Sequence, residues 1–221
     1  MQTILNDVEA RILGSLIEKE ITTPEYYPIT LNALTNACNQ KSNRDPVVLY
    51  EQTTVARGLD RLRDKGLAIT VHEAGSRAPK YKHSFREKFG LTQAEVAILC
   101  ELMLRGPQTI GEIKARANRM YNFKEGLKEV EEILQGLMES EEPRTVKLPR
   151  QAGKKENRYM HLFSGEPEIR QEEQILSLEA ATLKVRTEDE RIAKLEEELR
   201  SLRCDFDDLK QAFITFKSEF E

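Results

Sequence analysis

The chain repeats itself, and the repeat limits what it can fold into. Ile12, Leu13 and Leu16 recur as Ile98, Leu99 and Leu102 at a constant offset of 86 residues. In each place the spacing lays one apolar stripe along a helix. Both helices open on a polar residue followed three positions later by glutamate, Asn6 with Glu9 and Thr92 with Glu95, the pattern of a capping box. Both units also close alike. Tyr81, His83 and Phe85 return as Tyr159, His161 and Phe163, an alternation that predicts a strand with one face buried.

Between those ends the same elements follow in the same order. In the first unit helices are expected over 6–19, 31–39 and 53–65, the last with Val55, Leu59 and Leu62 inward and Gly66 as its stop. Strands at 67–73 and 80–85 then form a hairpin around a turn at 75–79. In the second unit a helix over 93–105 ends at Gly106-Pro107, Thr109 and Glu112 cap another, and a third covers 124–139. Strands near 145–148 and 157–163 flank a loop centred on Gly153. Three helices and a hairpin, twice over, is the order of a winged helix-turn-helix. The expected fold is therefore mainly α with small β-hairpins (α+β): winged-helix domains at 1–88 and 89–165, then a linker and an acidic C-terminal helix over 166–221.

That tail changes period. With position a at Leu178, Val185, Ile192, Leu199, Phe206, Phe213 and Phe220, position d falls on Ala181, Glu188, Leu195, Leu202, Leu209 and Phe216, a narrow seam of the coiled-coil kind. Its flanking charges match a partner in either direction, so the expectation is self-association through the tail, with folding back onto the winged domains as the alternative. The tail also carries most of the negative charge. The last 56 residues hold 16 acids and 9 bases, so the formal net charge of −4 leaves residues 1–165 slightly basic.

Three strings have a distinctive character: Thr22-Thr23-Pro24-Glu25-Tyr26-Tyr27-Pro28, then residues 36–46 from Asn36 to Pro46, and Arg158-Tyr159-Met160-His161-Leu162-Phe163-Ser164-Gly165. In these the chain resembles the YceH family of bacterial proteins over residues 5–165 or so. The resemblance implies a paired winged-helix fold of uncharacterised function and supplies no catalytic or ligand residues.

Winged helices commonly set their third helix in the major groove and the wing against phosphate, so charge on those surfaces is the test. Residues 51–65 carry four bases against three acids, with Arg57 and Arg61 as the candidate readers; residues 124–139 carry two bases against five acids, which disfavours a second reader. The second wing is the most basic segment. Arg144, Lys147, Arg150, Lys154, Lys155 and Arg158 face Glu156 alone, and of these Arg150, Lys154, Lys155 and Arg158 are candidate phosphate contacts; Arg77 and Lys80 are the corresponding candidates on the first wing. The opposing reading is a solvated hairpin that balances acidic helices. Residues 39–46 make an unusually long connection, and Lys41, Asn43 and Arg44 are candidate contacts for a phosphate or an acidic partner. Alternatively the loop packs beneath Tyr26 and Tyr27 and positions the third helix.

Enzymatic chemistry finds little purchase. The three histidines, His72, His83 and His161, are scattered, and the last two occupy equivalent strand positions; Glu18, Glu20 and Glu25 read as solvated carboxylates near a helix end. No metal, cofactor or catalytic residue is expected, and Cys38, Cys100 and Cys204 read as reduced thiols. No apolar run is long enough for a membrane span, and the expected location is the cytoplasm. Two functions remain open: a DNA-binding regulator or architectural protein acting on duplex DNA, dimerised by its tail, or an adaptor whose winged helices bind protein partners.

Overall fold

The computed structural model describes residues 4–72, 78–150, 153 and 155–165. The first unit runs α1 (Asp7–Thr22), a single 3-10 turn at Pro24–Tyr26, β1 (Ile29–Thr30), α2 (Leu31–Cys38), α3 (Gln52–Asp64), β2 (Ala68–Val71), β3 (Lys80–His83) and α4 (Phe85–Phe89). The second runs α5 (Gln93–Arg105), α6 (Ile110–Ala117), α7 (Leu127–Glu139), β4 (Thr145–Lys147) and β5 (Tyr159–His161). The coiled-coil seam of the tail, Cys204, the turn at 75–77 with Arg77, and Lys154 lie outside the described residues.

Local chemistry sets the helix ends. Asn6 accepts from the Glu9 amide at 2.9 Å while the Glu9 carboxylate accepts from the Asn6 amide at 2.9 Å, and Thr92 with Glu95 and Thr109 with Glu112 form the same reciprocal pair. Each satisfies two amides that the first turn leaves without partners. At the far end of α3, Gly66 takes φ 64°. Its amide reaches Arg63 O at 2.8 Å and the Leu67 amide reaches Leu62 O at 2.8 Å, which closes the helix and aims the chain into β2. Phe85 and Phe163 do not extend their strands, as the alternation had predicted: β3 stops at His83 and β5 at His161. Phe85 instead opens α4 and is fully buried, stacking edge-on at 5.2 Å against both Phe89 and Phe163. The third helix of the second unit starts at Leu127 rather than 124, because Gly126 turns the backbone to φ 70° just before it.

The repeat reaches further than the helices. In the first unit a short strand ahead of α2 completes an antiparallel sheet of order β1-β3-β2, with Ile29 opposite Tyr81 and Thr70 opposite Tyr81 on the other edge. In the second, Gln108 stands ahead of α6 and exchanges both backbone bonds with Tyr159, at 3.0 and 2.7 Å, beside the β4–β5 pair. Two residues of strand are too short for a period-two signal, so β1 was invisible in the sequence.

The two units share one core. α1 packs against α5, and buried side chains from Leu5 to Phe163 form a continuous cluster. The crossing is tight because Gly14 lies there: a Cβ added to it would come within 2.9 Å of Leu104 Cδ2. The Cys100 thiol donates to Gly14 O at 3.2 Å. Positions 14 and 100 correspond in the repeat, so equivalent points of the two copies touch each other.

Candidate nucleic-acid interface

Helix α3 buries Val55, Gly58, Leu59 and Leu62. At 100° per residue the opposite face runs through Thr53, Arg57, Asp60 and Asp64, with Arg61 beside it. This face is divided along its length. Its N-terminal half carries Thr53 and Arg57, while the C-terminal half brings in both acids. Asp60 is taken by Arg63 at 3.0 Å. Lys65 turns back to Glu9 at 2.6 Å and to Ile4 O at 2.6 Å. Arg57 and Arg61 are exposed and make no ion pair among the described residues. With Asp60 paired to Arg63 and Lys65 drawn to Glu9, two guanidinium groups, Arg57 and Arg61, and two carboxylates, Glu51 and Asp64, are left without an ion pair among the described residues, so the segment's free charge balances and the cations are set apart by position rather than by excess.

The connection from α2 to α3 differs from its expected form. Arg44, expected to project from the loop, is turned inward and is only 5% exposed. Its guanidinium meets the Glu18 carboxylate with Nη1–Oε1 at 3.1 Å and Nη2–Oε2 at 2.5 Å, and also donates to Ala37 O and Asn43 O. Glu18, read as solvated, is 1% exposed. Arg119, which follows α6 in the second unit, joins Glu18 Oε1 at 2.5 Å to Glu101 Oε1 at 2.8 Å. Arg105 Nε stands 3.1 Å from Glu101 Oε2, and its Nη2 donates to Asn43 Oδ1. Burial by itself would raise the Glu18 carboxyl, but the bonded Arg44 and the nearby Arg119 outweigh it and hold the group below the usual carboxylate range. A charge pulled out of water survives only when paired and hydrogen-bonded in this way. The network ties the loop of the first unit to the second, and no sequence spacing announces it, since Glu18 and Arg119 are 101 residues apart.

The rest of the loop is fastened at both ends. The Asn39 side chain donates to Tyr50 O at 2.8 Å and accepts from the Tyr50 amide at 2.7 Å. Buried Arg11 donates to Pro46 O at 2.7 Å and the Asp45 amide to Leu104 O at 3.0 Å. Lys41 and Asn43 remain on the surface, and the loop does not enclose Tyr26, which is 73% exposed.

The basic hairpin after α7 is less free than its charge. Arg144 donates to Phe89 O at 3.4 Å and lies over the Phe89 ring at 5.5 Å; Lys147 lies over Tyr159 at 6.0 Å. Arg158 donates to Pro107 O at 2.7 Å and pairs with Glu112 at 3.0 Å. Arg150 and Lys155 are exposed and unpaired among the described residues. Lys80 is half-buried on β3 and holds a partner within the chain. Helix α7 presents Glu131, Glu132 and Glu139 to solvent, with only Lys128 opposing them, 3.5 Å from Glu132.

The equivalent histidines are both buried. His83 Nδ1 accepts from the Phe85 amide at 3.2 Å and its Nε2 lies 2.8 Å from Glu20; His161 has no hydrogen-bond partner on Nδ1, and burial lowers its pKa to about 4. Cys38 is a buried free thiol whose pKa burial raises to about 11. Among the described residues no group of His, Cys, Asp and Glu could hold a metal ion, and no helix is long and apolar enough to cross a membrane.

Residues 5–154 match the family model described as "Protein of unknown function, DUF480". The chain is 56% identical to a UPF0502 protein of Geotalea uraniireducens over the full length of both, and 54% identical to one of Geobacter metallireducens, again over both full lengths. A UPF0502 protein of Opitutus terrae is 54% identical over 163 residues, covering 73% of this chain and 70% of its own.

Proposed function

Since the chain belongs to the DUF480 family, which brings a sequence signature but no activity, the reading must come from its surfaces: we propose that residues 4–165 are two winged helices and bind duplex DNA. Arg57 and Arg61 on α3 carry this reading, because they stand exposed and unpaired on the face away from the core. The order of three helices and a hairpin in each unit, with β1 ahead of the second helix in the first unit and the Gln108 bridge in the same place in the second, supports the fold assignment. In this reading the N-terminal half of α3 enters the major groove, where guanidinium groups reach guanine edges, and the hairpin tip supplies phosphate contacts through Arg150 and Lys155. Helix α7 does not read DNA, its outer face being acidic. The protein acts as a non-enzymatic cytoplasmic regulator or architectural factor, paired through its tail.

The test is duplex affinity over a salt series. Replacing Arg150 and Lys155 together by Gln is expected to weaken all sequences alike and to lower the salt slope by nearly 2, since each neutralised phosphate contributes about 0.9. Arg57→Ala is expected to relax sequence preference as well. No salt-dependent binding even at about 50 mM salt would sink the reading.

The internal commitments of Arg144, Lys147 and Arg158, with the acidic surface of α7, favour a second reading as an adaptor for protein partners. It predicts that full-length protein recovers a partner whose binding is lost on Glu131→Lys and Glu132→Lys and unaffected by Arg57→Ala.

A further inference from the structure

Between the two fastenings of the α2–α3 loop, at Pro46 and Tyr50, the chain presents aliphatic side chains to water. Leu49 is 91% exposed and Val47 56%. Exposed apolar residues are ordinary when scattered singly; these two stand together on a segment that Arg11, Asn39 and Leu104 hold from behind. The ordering entropy of such a segment is already spent on folding, so a ligand that covers it loses little more.

The place of the loop says what ligand that is. Leu49 precedes the start of α3 by three residues. Four residues of chain can place it no more than about 14 Å from Thr53, a span of about four base pairs at 3.4 Å each. Three cations without an ion pair among the described residues, Lys41 in the loop and Arg57 and Arg61 on the helix, lie on the same stretch of chain. Asp45 and Glu51 flank the aliphatic pair, so the loop tip is not itself a phosphate contact. An apolar contact beside a groove-reading helix has one base-edge counterpart, the 5-methyl group of thymine, which projects into the major groove.

We propose that Leu49, with Val47 beside it, is a specificity-determining contact for thymine methyl groups next to the bases read by Arg57. This inference rests on the DNA-binding reading above. Uracil lacks the methyl but has the same charge and hydrogen-bonding edge, which isolates the contact. With the full-length protein and 30-bp duplexes that carry guanines for Arg57 and differ only in having thymine (dA-dT) or uracil (dA-dU) opposite every adenine, at about 50 mM salt, the wild type is expected to bind the dA-dT duplex about fourfold more tightly for each methyl covered. Leu49→Ser is expected to bind both duplexes alike, with the wild type's affinity for dA-dU and an unchanged salt slope; Leu49→Met keeps the preference. As Leu49 is almost wholly exposed, neither change threatens the fold.

Equal wild-type affinity for the two duplexes overturns the proposal, as does a preference that survives Leu49→Ser. A variant whose only change is a lower mass in light scattering also overturns it, and makes the loop a protein-docking surface instead. Binding to neither duplex removes the DNA-binding reading and this inference with it, whereas equal binding to both removes the inference alone.

Discussion

His161 shows how one side chain couples the fold to proton concentration. Its ring is buried beside Phe163, and Nδ1 has no hydrogen-bond partner in the structure, so the cation would have to form in an apolar place. The folded pKa of about 4 lies below the ordinary 6.5. An unfolded chain therefore binds the proton more readily between those values, and stability falls as pH drops from about 6.5 to about 4, then changes no further from this source. At about 1.4 kcal/mol per unit the loss is roughly 3 to 4 kcal/mol. Urea denaturation of the wild type and of His161→Phe at pH 7 and pH 4.5 checks it: the variant should lose less stability across that interval, and an equal loss in both would assign the acid sensitivity elsewhere. Arg44 illustrates the opposite limit of inference at this scale. In the sequence it is a cation in a loop of turn formers, indistinguishable from Lys41, and only the fold shows that one is buried against Glu18 while the other is in solvent.

Helices were the most legible elements. Their caps are local, three residues from donor to acceptor, and their apolar period spans several turns, so α5 matches its expected range and α1, α2 and α3 differ by few residues at either end. Strands were legible as a hairpin but not in extent, because a run of three or four residues gives alternation little room, and Phe85 joined α4 by packing rather than by period. The close crossing of α1 and α5 was not legible at all. Gly14 sits within a helix, and the close approach of Leu104 and Met103 explains a glycine there. Gly14→Ala should accordingly destabilise the protein by about 1–3 kcal/mol through overpacking, although alanine favours helix by nearly 1 kcal/mol over glycine. Chemical denaturation decides between the two: a variant more stable than wild type would mean the crossing relaxes freely.

At the scale of the whole molecule, the seam predicted over residues 178–220 concerns assembly. Full-length protein is expected to scatter light as a dimer at micromolar concentration, and a chain ending at Glu166 as a monomer. A monomeric full-length chain would favour the fold-back alternative, and a dimeric truncated one would place the interface within residues 1–166. Charge could be read at this scale only as a balance of acids and bases. Which guanidinium groups were free, on α3 and at the hairpin tip, depended on partners far away in the sequence, such as Glu112 for Arg158.

The contact between positions 14 and 100 carries a further meaning. When equivalent points of two like units touch, the arrangement is that of a self-complementary pair with a two-fold relation, here with both partners on one strand of polypeptide. Separate subunits fall apart on dilution; tethered ones face each other at an effective concentration that dilution cannot lower. Freed from the demand that both copies keep the same exterior, the halves could diverge in sign, leaving α3 with unpaired arginines and α7 with glutamates while the shared seam stayed closed.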